Sequence, residues 1–187
     1  SGGIIDQRDG MTLILTAGHV CQMTVKKSNA MIIITDQTGT SQVGHILELS
    51  PTSDVCVLMS LPLAGQALHV SRTDPIPGQP VTALVNPQGI WTPGSLVAID
   101  GRTIRIMPDD YPWGSVLLAI RASGGCSGGP VLNSSQEIVG LISGYHDKFD
   151  SIVMSPAPRN IRVTVTLARA HADQQVNALR DTDTGLD

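Results

Sequence analysis

The stretch Ser123–Leu132 reads "SGGCSGGPVL", with four glycines around a Cys-Ser pair and an apolar strand directly behind. Glycine adopts φ > 0 without a Cβ penalty and lets backbone approach a ligand or another strand closely. A turn of this make-up is either a glycine hairpin or a cradle for a reacting group. The rest of the chain decides which.

A serine hydroxyl is a weak nucleophile until a base takes its proton, and the base works best when a third group orients it. Working outward, "LTAGHV" places His19 just after the apolar run Met11–Thr16, and "SPTSDVCVL" places Asp54 at the mouth of another. The order is His19, Asp54, Ser127, with the proline-rich stretch "HVSRTDPIPGQP" (His69–Pro80) between the second and the third. That arrangement sets base and nucleophile on facing walls of a cleft between two β units. In "GGCSGGP", Gly125 permits the tight turn that aims its own N–H and that of Ser127 at one point. Two such donors make an oxyanion hole, where losing one costs about 10²–10³ in rate. Gly128 and Gly129 let the next strand pack behind the nucleophile. The cradle explains more of the sequence than the hairpin does.

Short β-rich runs recur along the chain: Met11–Thr16, Ala30–Thr35, Gln42–Glu48, Val55–Ser60, Val81–Val85, Ser95–Ile99, Thr103–Met107, Ser115–Arg121, Val131–Asn133 and Ile138–Ser143. Turn signals such as Asp9-Gly10, Thr38-Gly39, Asn86-Pro87 and Asp100-Gly101 separate them. Strands this short and frequent predict an all-β sandwich or barrels. The expected organisation is a β-barrel over 1–68 carrying His19 and Asp54, a linker over 69–80, and a barrel over 81–158 carrying Ser127. A helix and tail over 159–187 complete it. Ile161, Val165, Ala168, Ala172, Val176 and Leu179 recur at helical steps. Ile161, Val163, Val165 and Leu167 also alternate as in a strand, so the helix is assigned to 166–180 and 159–165 stays open.

Composition narrows the partners. The 187 residues are 41% hydrophobic but only 3% aromatic, so Ile, Val, Leu and Ala must fill the core. A net charge of -4 argues against nucleic acid, whose binders show a basic face. Apolar runs such as Val116–Ile120 fall far short of the roughly 18 residues a membrane span requires. The opening "SGGIID" has neither a basic leader nor an initiator Met, which reads as a trimmed or processed chain. A soluble protein is expected, exported or virus-encoded, with its compartment and oligomeric state open.

The set "LTAGHV…SDVCVL…GCSGGPVL" resembles the trypsin/chymotrypsin-type serine peptidases. The nearer likeness is to the HtrA (Deg)-type protease domain without a PDZ module. "SGGIIDQRDGMTLILTAGHV" is similar to its glycine-led first strand and histidine motif, and "GQPVTALVNPQGIWTPGSLVAI" to the start of its second barrel. "EIVGLISGY" resembles the strand beside the substrate and "SIVMSPA" the last barrel strand. The resemblance implies two antiparallel six-stranded β-barrels with a C-terminal helix, and one early strand of the first can be missing here. It also implies endopeptidase activity on a protein or peptide substrate. His19, Asp54 and Ser127 would be the triad, and Gly125 and Ser127 the oxyanion donors.

By the same resemblance Arg121 lines the base of the specificity pocket and favours Glu or Asp before the cut, with His146 assisting. Should Arg121 point away on its strand, a small apolar pocket remains. Ser143, Gly144 and Tyr145 form the edge that pairs with substrate backbone. Cys126 stands where digestive enzymes carry an acidic residue and the HtrA type an Asn; as a rival nucleophile it is disfavoured because Gly-Gly follows Ser127 directly. Cys21, Cys56 and Cys126 each lie within two positions of a triad residue. Buried, reduced thiols are expected, with a Cys21–Cys56 bridge as the alternative. His45, His69 and His171 show no metal-ligand spacing, and no metal or cofactor is expected. Asp6 and Asp36 are read as solvated turn residues. Two other functions fit the same residues: a virus-encoded polyprotein-processing or self-releasing protease, and a catalytically silent peptide-binding module.

Overall fold

The computed structural model describes residues 1–8, 10–26, 31–87, 96–108, 115–146 and 149–183. The alternation of apolar runs and turn residues becomes two sheets. The first contains β1 (Gly3–Arg8), β2 (Met11–Thr16), β3 (Ile32–Thr35), β4 (Ser41–Leu49) and β5 (Cys56–Ser60), in the order β1-β2-β5-β4-β3. A short helix, α1 (Gly18–Val25), follows β2. The second sheet is built from β6 (His69–Val70), β7 (Pro80–Val85), β8 (Val97–Ile106), β9 (Ser115–Ala119) and β10 (Pro130–Leu132), with β11 (Glu137–Leu141), β12 (Gly144–His146) and β13 (Phe149–Pro156). Its order is β12-β13-β9-β8-β7-β10-β11-β6, and α2 (Pro158–Asp183) comes after it.

The all-β expectation holds, with sheets of five and eight strands among the described residues. β11 and β12 are separated only by Ile142 and Ser143, yet stand near opposite ends of the strand order. β11 pairs with β10 and β12 with β13, so the sheet curls round and closes through this broken strand. The stretch expected as a linker supplies β6, which pairs in parallel with β11. In the first unit the Leu68 N–H donates to the Ile4 carbonyl at 2.8 Å, extending that sheet beyond β1.

Two local expectations need correction. Asp100-Gly101 is no turn: β8 runs through it as one strand, paired to β7 from Val97 to Arg102. Gly101 is small for a different reason, since a Cβ there would sit 2.3 Å from Ile120 Cγ1 and 2.4 Å from the Ala119 carbonyl. Helix α2 begins at Pro158 rather than at 166 and runs to Asp183. Proline is tolerated in a first turn, where its missing N–H has no intrahelical acceptor. The β-branched residues that argued for a strand are helical because burial overrides propensity. Ile161, Val165, Ala168 and Ala172 are buried in one stripe, whereas Val163 and Leu167 face out. The reading of 88–95, with its Pro-Gly, lies outside the described residues.

That helical stripe completes the first core, packing on Ile5, Leu13, Leu15, Val57, Leu132 and Ile138. A second core fills the other unit, with Val81, Val116, Leu118, Val139 and Val153 fully or nearly enclosed. A third, small cluster of Ile14, Leu58, Leu63 and two cysteines lies beneath α1 and β5. Aliphatic residues carry all three.

Candidate active site

His19 and Asp54 meet because β2 and β5 are neighbours in register, with Thr16 opposite Cys56. Each chain then leaves its strand at the same end. The His19 ring Nδ1 lies 2.8 Å from Asp54 Oδ2, and the His19 backbone N–H donates to Asp54 Oδ1 at 2.6 Å. Asp54 thus caps the start of α1, where unpaired N–H groups favour a negative charge. Gly18 makes room, since a Cβ there would lie 3.0 Å from Asp54 Oδ1. Ser143 Oγ donates a further short hydrogen bond to Asp54 Oδ2. Burial opposes the Asp54 charge, yet the hydrogen bonds from His19 and Ser143 prevail and hold its pKa below the usual range. The hydrogen bond to Asp54 raises the His19 pKa above its ordinary 6.5. An ionised carboxylate only accepts, so it selects the Nδ1–H tautomer and leaves Nε2 as the proton acceptor.

Ser127 sits on the opposite wall in the glycine turn. The Cys126 N–H donates to the Ser123 carbonyl at 3.2 Å, and Gly125 has φ +89°. A positive φ at the third position of a four-residue turn is the type II geometry, which strongly favours glycine. Gly128 has φ +83°, and a Cβ on it would lie 2.1 Å from Thr16 Oγ1 and 2.8 Å from the Ala17 nitrogen. A Cβ on Gly129 would lie 2.6 Å from Val85 Cγ1. Gly128 thus presses the Ser127 turn against the end of β2, three positions before His19, and Gly129 presses it against β7. Among the described residues the Gly125 and Ser127 N–H groups have no protein acceptor, and no hydrogen bond joins Ser127 Oγ to His19.

The broken strand links the two walls. Gly128 donates to the Ile142 carbonyl at 2.7 Å and Ile142 to the Gly129 carbonyl at 2.9 Å. The next residue, Ser143, is the one bound to Asp54. His19, Asp54, Ser143 and Gly144 line one pocket of about 340 Å³ with Gln22 and the Ser50–Ser53 turn; Arg121, Ser127 and Tyr145 do not line it. Arg121 lies exposed beyond the end of β9, and Tyr145 is exposed on β12. His146 belongs to β12, but its side chain lies outside the described residues.

The trypsin-like peptidase domain model matches residues 1–141. The chain belongs to this family. It is therefore a hydrolase of the trypsin-like serine protease kind, acting on protein or peptide substrates. Rv3671c from M. tuberculosis, solved as an inactive serine-to-alanine mutant, superimposes with TM-score 0.69 at 18% identity, covering 90% of this chain and 80% of that one. A serine endoprotease from Yersinia pestis gives TM-score 0.70 at 19% identity, covering 90% of this chain and 57% of the other. A further inactive form of the Rv3671c protease gives 0.68 at 18%, covering 88% and 81%. At these identities the likeness is one of fold. A search of curated protein sequences finds no significant match. No helix among the described residues is long and apolar enough to cross a membrane.

Two features of this trypsin-like peptidase differ from the sequence reading. Cys21 and Cys56 form the disulfide that stands as the alternative to reduced thiols, while Cys126 is a buried free thiol. The reason is geometric: each cysteine stands two positions after a member of the His19–Asp54 pair, so the contact that joins those residues also joins the sulfurs. Asp36 is more than a solvated turn residue. The Thr38 hydroxyl donates to its carboxylate, as do the N–H groups of Ala64, Thr38 and Thr40, and these bring its pKa down to about 2. Sequence reasoning missed Ser1 altogether. Its nitrogen lies 2.8 Å from the Ser127 carbonyl, and its hydroxyl donates to the Gly125 carbonyl at 2.8 Å. The same hydroxyl accepts from the Asn86 N–H at 2.8 Å. No local pattern signals a contact 124 positions away.

Proposed function

We propose that this domain is a serine endopeptidase working through Ser127, His19 and Asp54 and a covalent acyl-enzyme. Ser127 Oγ attacks the scissile carbonyl as His19 Nε2 takes its proton, and Asp54 steadies the imidazolium that forms. The carbonyl oxygen becomes an oxyanion facing the N–H groups of Gly125 and Ser127. On collapse the C–N bond breaks, His19 passes its proton to the departing amine, and the acyl group remains on Ser127 as an ester. Water, deprotonated by His19, then attacks the ester, and the Ser127–acyl bond breaks to release the acid and restore the hydroxyl.

One observation carries the reading. A carboxylate gripped by His19 Nδ1, the His19 N–H and Ser143 Oγ stands across from a glycine turn whose Gly125 and Ser127 N–H groups have no acceptor among the described residues. Catalytic hydrogen bonds to the nucleophile are commonly long before substrate arrives. Ser143–Tyr145 offers extended backbone beside the pocket for a substrate strand. Arg121 forms no ion pair with a described residue and is free to meet a Glu or Asp side chain before the cut. The Cys21–Cys56 bridge suits an oxidising compartment, which favours an exported protein.

A peptide-library digest read by mass spectrometry tests both claims. The wild-type chain should cut peptides, with Glu or Asp enriched before the cut, and Ser127→Ala should leave the library intact. Cleavage that persists in Ser127→Ala overturns the nucleophile; enrichment of small apolar residues overturns the role of Arg121 alone.

A further inference from the structure

A second cleft, of about 660 Å³, shares no lining residue with the His19 pocket. It lies where β6, the β10–β11 turn and the early turns of α2 meet. Three guanidinium groups line it, those of Arg72, Arg162 and Arg169, against one carboxylate, that of Glu137. This is a local inversion in a chain of net charge -4. Most N–H donors of Arg72 and Arg162 are unspent. Arg72 is exposed and forms no hydrogen bond or ion pair with a described residue. Arg162 donates one N–H to the Ser71 carbonyl. Arg169 is already engaged, its Nε lying 3.2 Å from Asp6 Oδ2 and a second N–H donating to the Ile5 carbonyl at 3.1 Å. Each guanidinium carries five N–H donors in a planar fork that fits a carboxylate.

Val70 and Val165 give the cleft an apolar floor.

We propose that this cleft is a docking site for an acidic peptide segment, with its carboxylates on Arg72 and Arg162 and an apolar side chain on Val70 and Val165. Charge-assisted pairs to guanidinium set the acidic character of such a segment. Nucleic acid fits less well, because the chain carries a net charge of -4 and the cleft has an apolar floor.

The test is a fluorescence-anisotropy titration of the full chain carrying Ser127→Ala, so that no probe is cut. The probe is a labelled peptide of alternating Glu and Val. Saturable binding is expected, weaker in high salt, and lowered about tenfold or more by Arg72→Glu. Arg72→Gln should give a smaller loss in the same direction. Arg105→Glu, an exposed reversal outside the cleft, should leave binding unchanged. Because Arg72 is exposed and unpaired, its variants should keep the wild-type melting temperature. Equal affinity for a Gln-Val peptide, or an equal loss in Arg105→Glu, overturns the proposal. So does displacement by inorganic phosphate or a single-stranded oligonucleotide at the same concentration as unlabelled peptide. The readout is binding, so it stands apart from the catalytic reading.

Discussion

The two walls of the candidate site are held by different physics. On the His19 side, order comes from side chains: a carboxylate bound three ways, a helix start that it caps, and a disulfide beside it. On the Ser127 side, order comes from the absence of side chains, with Gly125 and Gly128 at positive φ and Gly128 and Gly129 letting the turn press against neighbouring strands. The first wall is made by adding partners and the second by removing obstacles. One tolerates loss of a bond as reduced activity or stability; the other tolerates almost no added atom.

The largest effect should come from separating charge from shape on the first wall. Asp54→Asn keeps the size of the side chain but favours the wrong His19 tautomer, and kcat should fall about 10⁴-fold. A loss below tenfold would mean that Asp54 only holds α1. Next comes the second wall. Gly128→Ala forces a Cβ to within 2.1 Å of Thr16 Oγ1 at φ +83°, so the chain should lose about 3 kcal/mol or more on thermal unfolding. Gly10, with φ +74° but open space around it, supplies the contrast: Gly10→Ala should cost about 1 kcal/mol.

The covalent brace ranks third. Replacing both Cys21 and Cys56 by Ala removes a cross-link spanning 35 positions and should lower stability by about 2–4 kcal/mol, read by denaturant unfolding. Loss of activity at full stability would instead make the bridge a catalytic positioner. The smallest effect is in pH dependence. His19 must be neutral to act as base, and its pKa is raised by Asp54. Activity should therefore rise with pH through a midpoint above 6.5, and Ser143→Ala should move that midpoint. The same raised pKa adds stability that is complete below pH 6.5 and is lost as pH climbs through the folded-state value.

The second wall was the more legible in sequence. Its glycines, Ser127 and the following strand are contiguous, and the conformation they need is written in residue type. His19 and Asp54 could also be picked out, each beside an apolar strand. What holds them could not. Ser143 reaches Asp54 from 89 positions away, and the disulfide depends on strand register that local pattern does not encode. Helix α1 escaped notice because its stability comes from the Asp54 cap rather than from an apolar stripe. Gly101 misled for the opposite reason: Asp-Gly is a turn signal, but here its small size serves a close contact with Ile120. Burial of one helical face likewise decided residues 158–165, where propensity pointed two ways.

The account rests on Ser127 being activated by a neutral imidazole across the cleft. Reaction with a fluorophosphonate, followed by peptide mapping, tests this most directly. The account predicts a single adduct on Ser127, slowed by orders of magnitude in His19→Ala. An adduct on Cys126 or another residue, or labelling of Ser127 at an unchanged rate without His19, would contradict it.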